Sequence, residues 1–182
     1  MDTSAARRNI LARIRSAQGR RGAPSDAERL STTVAEVDSL ADAPAEAARY
    51  LESLNLPTDV VAWPALSGLP FAEAGLRAEL HKPADADLVG ITGCFCATAE
   101  TGSLVLLSGA LLPQTHIAIV PASRIVASHE EDAFALMRAE RGELPRAVNF
   151  VSGSSRTGDI EQTIVLGAHG PYRVHVIVAR GA

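Results

Sequence analysis

YRVHVIVA, from Tyr172 to Ala179, carries apolar and β-branched residues at consecutive positions. A strand with one wet face would alternate polar and apolar side chains, whereas a near-continuous apolar run belongs in a sheet covered on both faces. HIAIVP, from His116 to Pro121, has the same texture. Around these two, TDVVAW (58–63), DLVGIT (87–92), GSLVLLS (102–108), RIVAS (124–128) and AVNFVS (147–152) read as further strands bounded by turn residues.

Helical periodicity accounts for much of the rest. APAEAARYLESLNL (43–56) places Ala47, Tyr50, Leu51 and Leu54 inward. A helix is expected around LPFAEAGLRAEL (69–80), after the Ser67-Gly68 break, and another over HEEDAFALMRAE (129–140). In the latter, Glu130, Glu131 and Asp132 suit the positive end of the helix dipole. Residues 5–17 form a first amphipathic helix with Ile10, Leu11 and Ile14 on one face, followed by a linker-like GRRGAPSDAERL. The expected organisation is an N-terminal helix and linker over 1–22 and a single α/β domain over 23–182. The fold class is α/β, three-layer α/β/α with a largely parallel or mixed sheet, plus the N-terminal helical extension.

Size and charge narrow the function. A chain of 182 residues buries roughly 70% of its unfolded surface, enough for a core without staples. With 17 basic and 21 acidic residues the net charge is −4, which argues against nucleic acid as the main partner. The two cysteines, in GCFCA at Cys94 and Cys96, exclude a disulfide framework and read as small strand residues. No apolar run approaches the ~20 residues of a membrane helix, no signal peptide is read at the start, and the cytoplasm is the expected location. Residues 1–22 hold six arginines and one acid, a composition shared by docking helices and mitochondrial transit peptides.

Three clusters of hydrogen-bonding groups are candidates for chemistry or for turn and cap formation. In ATAETGSLVLLSG, Glu100 stands on a turn with Thr101 and Gly102, placed to act as base, nucleophile or turn-former. In SGSSRTGDIE, Gly153 permits close backbone approach, while Ser154, Ser155 and Thr157 offer hydroxyls and amides. Arg156 adds a planar fork for a carboxylate or phosphate. A helix beginning near Thr157, with Asp159 and Glu161 in its first turn, would aim its positive end at an anion, or the acids would simply pair with Arg156. It is not a P-loop, lacking the lysine and its spacing. In GAHGP, His169 before Gly170 is an acid–base candidate or a hydrogen-bonding turn residue, and no second histidine at metal-binding spacing accompanies it, so no metal is assigned.

Taken in order, AETGSLVL, LLPQTHIAIV, SGSSRTGDIE and GAHGP closely resemble the LUD-domain family, in its lactate-utilisation protein C branch. The resemblance runs from about Asp87 to the end and extends to the R-x-I-L-x-x-I-R pattern of Arg8 to Arg15. Departures are conservative: Ser154 stands where the family has Pro, Gly158 where it has Ala, and Ser103 where it has Thr. The resemblance implies a fold like that of ribose-phosphate isomerase, CoA-transferase and formyltetrahydrofolate cycloligase, with ligands at the carboxyl ends of strands. It also implies a place in a bacterial system oxidising L-lactate to pyruvate, whose partner subunits carry iron–sulfur clusters.

That oxidation moves two electrons, and this chain shows no dinucleotide fingerprint and too few cysteines for a cluster. No cofactor is therefore assigned to it, and it is not a self-sufficient lactate dehydrogenase. The leading expectation is an accessory or ligand-binding subunit that grips a small carboxylate or phosphate at Ser154 to Thr157, with Glu100 and His169 as candidate acid–base groups. The alternatives are a stand-alone acyl- or phosphate-handling enzyme with Glu100 as nucleophile, and a non-catalytic interaction module.

Overall fold

The computed structural model describes residues 32–84, 86–107, 113–126, 130–157, 165–167 and 170–181. The expected helix over 5–17 and its linker to residue 30 lie outside the described residues. In chain order come β1 (Thr32–Val37), α1 (Ala43–Ser53), β2 (Asp59–Ala62), β3 (Arg77–Leu80), β4 (Val89–Thr92), β5 (Cys96–Thr98) and β6 (Ser103–Leu106). There follow β7 (Thr115–Pro121), β8 (Ile125–Val126), α2 (Glu130–Arg141), β9 (Asn149–Val151), β10 (Arg156–Thr157), β11 (Val165–Leu166) and β12 (Arg173–Ala179).

Six strands make a parallel sheet in the order β1-β12-β7-β4-β2-β3. The two runs that decide the fold, β7 and β12, are neighbours near its middle, in register from Thr115↔Arg173 to Pro121↔Ala179. Both faces of β7 are buried, as its unbroken apolar run requires. Ile117 and Ile119 join a cluster with Ala43, Ala47 and Leu51 of α1, while Ala118 and Val120 join Leu104, Leu106 and Val151. Those last three belong to a four-stranded sheet, order β8-β5-β6-β9, mixed in direction. Its far side carries Cys96 and Val105, which pack with Ala133 and Met137 of α2. The chain is thus α/β with a parallel central sheet, and the layers run α1, parallel sheet, four-stranded sheet, α2.

Local chemistry sets the helix ends. Pro44 opens α1, and Ala43, Ala47 and Leu51 fall four apart on the buried face. The helix closes in a Schellman motif: Asn55 takes φ 52°, its N–H donates to the Glu52 carbonyl and that of Leu56 to the Leu51 carbonyl. Leu54 therefore stands at the cap, 39% exposed, and not inward as periodicity suggested. Acids lead α2 and Arg138 and Arg141 close it, complementing the dipole. Arg124 fastens that helix to the second sheet, donating to the Phe95 carbonyl at 2.7 Å and to both Glu140 carboxylate oxygens at 2.6 and 3.0 Å.

Two expectations need correction. The helix around 69–80 is a set of turns and then β3. Gly75 adopts φ 77°, and Phe71 and Leu76 both drop into the α1-side core, so the chain leaves the turn extended along β2. Residues 32–37, to which no element was assigned, form β1. Its strand pairing among the described residues is to β12, about 140 residues away, with a Glu36–Arg180 ion pair on the same edge. Only tertiary context makes that segment a strand.

Candidate functional site

The first cluster is a β-hairpin. β5 and β6 pair antiparallel with Thr98 opposite Ser103, and Ala99 to Gly102 make the turn, Gly102 at φ 63°. Glu100 is exposed at its tip. Pairing Thr98 with Ser103 also gathers hydroxyls, with Thr98 Oγ1 at 2.6 Å from Thr101 Oγ1 and Thr101 Oγ1 at 2.8 Å from Ser103 Oγ.

The second cluster follows β9, which pairs with β6 as Leu104↔Val151. One step further along this register Ser103 meets Ser152, and their Oγ atoms lie 2.5 Å apart. Gly153 then turns the chain at φ 102°. The Ser155 N–H donates to the Pro171 carbonyl at 2.8 Å, and the Gly167 N–H donates to the Ser155 carbonyl at 2.9 Å. Backbone pairing thus ties the second cluster to the third. Between them lies an open depression of about 290 Å³, lined by Phe150 to Ser155 and by Gly170 and Pro171.

The three clusters therefore meet. Thr101 and Gly102 connect to Ser152 through Ser103, and Gly153, Ser154 and Ser155 face Gly170. Arg156 follows, exposed, in β10. Of the helix expected to begin near Thr157, residues 158–164 lie outside the described residues, and Thr157 itself is not helical. Arg156 and Thr157 are extended and pair antiparallel with Leu166 and Val165. Asp159, Glu161 and His169 lie outside the described residues. The site's place in the fold also differs from expectation. Its turns stand at the ends of β5, β6 and β9 and just before the amino end of β12, not at the carboxyl edge of the parallel sheet. Sequence reading missed Ser152, Ser103 and Thr98 as site residues. Treating CATAETGSLVL as a hairpin about the Gly102 turn would have set Thr98 opposite Ser103.

Elsewhere, polar groups are held in unreactive states. Cys96 is wholly buried against α2, Cys94 packs between the sheets, and burial pushes their thiols up to about 11 and about 12. They face opposite sides of the second sheet. Among the described residues no group of three or more His, Cys, Asp or Glu is disposed to hold a metal, and no helix is long and apolar enough to cross a membrane. Because the thiolate is the reactive form, both cysteines are expected to resist a disulfide reagent in the native protein at mildly alkaline pH. They should react promptly once denaturant is added, followed by thiol release, and fast native labelling would contradict their packing.

Residues 2–179 match the LUD domain family. This chain belongs to that family. Among curated relatives it is 42% identical over 108 residues to lactate utilization protein C of Halalkalibacterium halodurans, covering 54% of this chain and 46% of the relative. It is 32% identical over 135 residues to the protein of the same name from Anoxybacillus flavithermus, covering 70% and 56%. It is 36% identical over 127 residues to that of Bacillus subtilis, covering 64% and 52%. The matches span about half the length of these curated relatives. In structure the LUD domain described above resembles the crystal structure of a DUF162 family protein from Deinococcus radiodurans, with TM-score 0.62 and 25% identity, covering 95% of this chain and 98% of that one.

Proposed function

We propose that this LUD domain chain serves lactate utilisation as a subunit that binds a small carboxylate, L-lactate or pyruvate, in the depression beside Ser152 to Ser155. The observation that carries the reading is that the turns around Ser152 to Ser155 and Gly170 to Pro171 line one open hollow, to which the 99–102 hairpin turn is tied through the Ser103–Ser152 hydrogen bond. The name shared by its relatives supports the substrate class. In this reading Arg156 supplies the planar fork that pairs with a carboxylate. Glu100, on the hairpin tip, and His169 are the acid–base candidates. The electrons of lactate oxidation pass through partner subunits carrying iron–sulfur clusters.

Isothermal titration of L-lactate and pyruvate into the full chain tests this. A charge-assisted hydrogen bond contributes about 1.5–3 kcal/mol, so Arg156→Ala is expected to weaken binding by about 10- to 100-fold. Arg156 is exposed, where a lost polar contact costs at most about 1 kcal/mol, so the variant should stay folded, which its melting curve checks. An unchanged dissociation constant in a folded variant would overturn the reading.

A further inference from the structure

Ser152 lines the hollow, yet its side chain is also the outer end of a line of hydroxyls that reaches into the protein. Inward from it come Ser103, fully buried, then Thr101, half-buried, then Thr98, 1% exposed. The successive Oγ separations are 2.5, 2.8 and 2.6 Å. Each hydroxyl has one proton to donate and lone pairs to accept with. A line of four such groups has two self-consistent arrangements, with every proton pointing inward or every proton pointing outward.

The inner end decides how easily the line reverses. Among the described residues, the further acceptor in reach of Thr98 is the Ser103 carbonyl, at 3.5 Å. That is well beyond the 2.7–2.8 Å usual for a hydroxyl donor, so the inward arrangement gains little from it. An outward arrangement gives up only this long contact. Thr98 then donates to Thr101, Thr101 to Ser103 and Ser103 to Ser152. The Ser152 proton is left to point into the hollow, strengthened by the polarised line behind it. Serine side chains on a merely solvated turn would not need buried hydroxyls in series behind them.

We propose that Ser152 is a ligand-contacting residue that donates a hydrogen bond to a carboxylate oxygen in the hollow, and that Ser103 is a positioning residue that turns its proton outward. The proposal rests on the reading of the hollow as a carboxylate site, and deepens it by naming the donor and what orients it. The ligand class that takes the outward proton is one rich in acceptors, a small carboxylate.

The test is titration of pyruvate into wild type, Ser152→Ala, Ser103→Ala, Ser103→Thr and Arg156→Ala, with each variant's melting curve as the folding check. Ser152→Ala removes the donor and should weaken binding about tenfold or more. Ser103→Ala leaves Ser152 in place but unoriented, and should weaken binding by a smaller factor, about threefold. Ser103→Thr keeps a hydroxyl and should restore wild-type affinity, a rescue that a packing role alone would not give. If wild type binds and Arg156→Ala loses affinity while Ser152→Ala does not, the hydroxyl line is overturned and the site stands. If Ser152→Ala weakens binding while Ser103→Ala leaves it unchanged, the positioning role is overturned. If wild type binds no carboxylate, both readings fall together.

Discussion

Ile117→Ala is expected to lower the free energy of unfolding by about 3–4 kcal/mol, within the range found when a buried Ile or Leu is cut back to Ala. Ile117 is fully buried on β7, with Ile91 of β4 beside it in register on one side and His175 of β12 on the other. It belongs to the cluster that joins the parallel sheet to α1 through Ala47 and Leu51. Neighbours held on two sheet strands and a helix cannot all move in to fill the space, so the cavity term adds to the lost transfer energy. Alanine is also a poorer strand residue than isoleucine. Against a total stability of about 5–15 kcal/mol, this is a large fraction. Val34→Ala supplies the contrast, since Val34 lies on edge strand β1 and is 50% exposed. Its cost should stay below about 1 kcal/mol. Urea denaturation of the two variants measures both values. Equal losses would mean that the layer order around β7 is wrong.

The same contrast explains what could be read from the sequence. β7 and β12 were legible because burial on both faces leaves a mark on every residue, and short β-branched runs such as IAIV and VHVIVA, bounded by turn residues, favour a covered strand. The helix over 130–141 was legible through the acids of its first turn. β1 was not, because TTVAEV on a sheet edge needs only some of its side chains inside, and its partner strand lies far along the chain. β3 was misread because FAEAGLRAEL has helical composition, and the decision was made by a glycine at φ 77° and by pairing with β2. The candidate site divides along the same line. Its glycines and hydroxyls could be picked out as turn chemistry, since that is local. Their meeting could not, because it depends on the β6–β9 register and on the bonds between Ser155 and the 167–171 turn. Ser152 escaped notice for a related reason. Its significance lies in Ser103, a residue 49 positions earlier.

The second large effect is on acid stability, and it comes from two histidines that the site does not use. His116 is wholly buried, with Nε2 2.7 Å from Thr92 Oγ1. His175 is 3% exposed, with Nδ1 2.8 Å from Thr33 Oγ1 and its ring stacked on Tyr50 at 3.9 Å. The other ring nitrogen of each has no hydrogen-bond partner among the described residues. Burial holds both rings neutral and lowers them from the usual 6.5 to about 4. Above pH 6.5 the folded and unfolded chains are both neutral at these positions, so stability is fully present. As pH falls below that, the unfolded chain takes up protons that the folded chain refuses. Each histidine then costs about 1.4 kcal/mol per pH unit until about pH 4, roughly 3 kcal/mol in all. Two together approach half of a typical domain's stability. The carboxylates of Asp59 and Glu140, held low by hydrogen bonds from Arg77 and Arg124, titrate further down and are largely exposed, so they contribute little in this window. Denaturant titrations between pH 6.5 and 4 should show the decline, and His116→Gln should roughly halve its slope. A slope unchanged in that variant would show that His116 is not the proton-refusing group, whatever its depth between the two sheets.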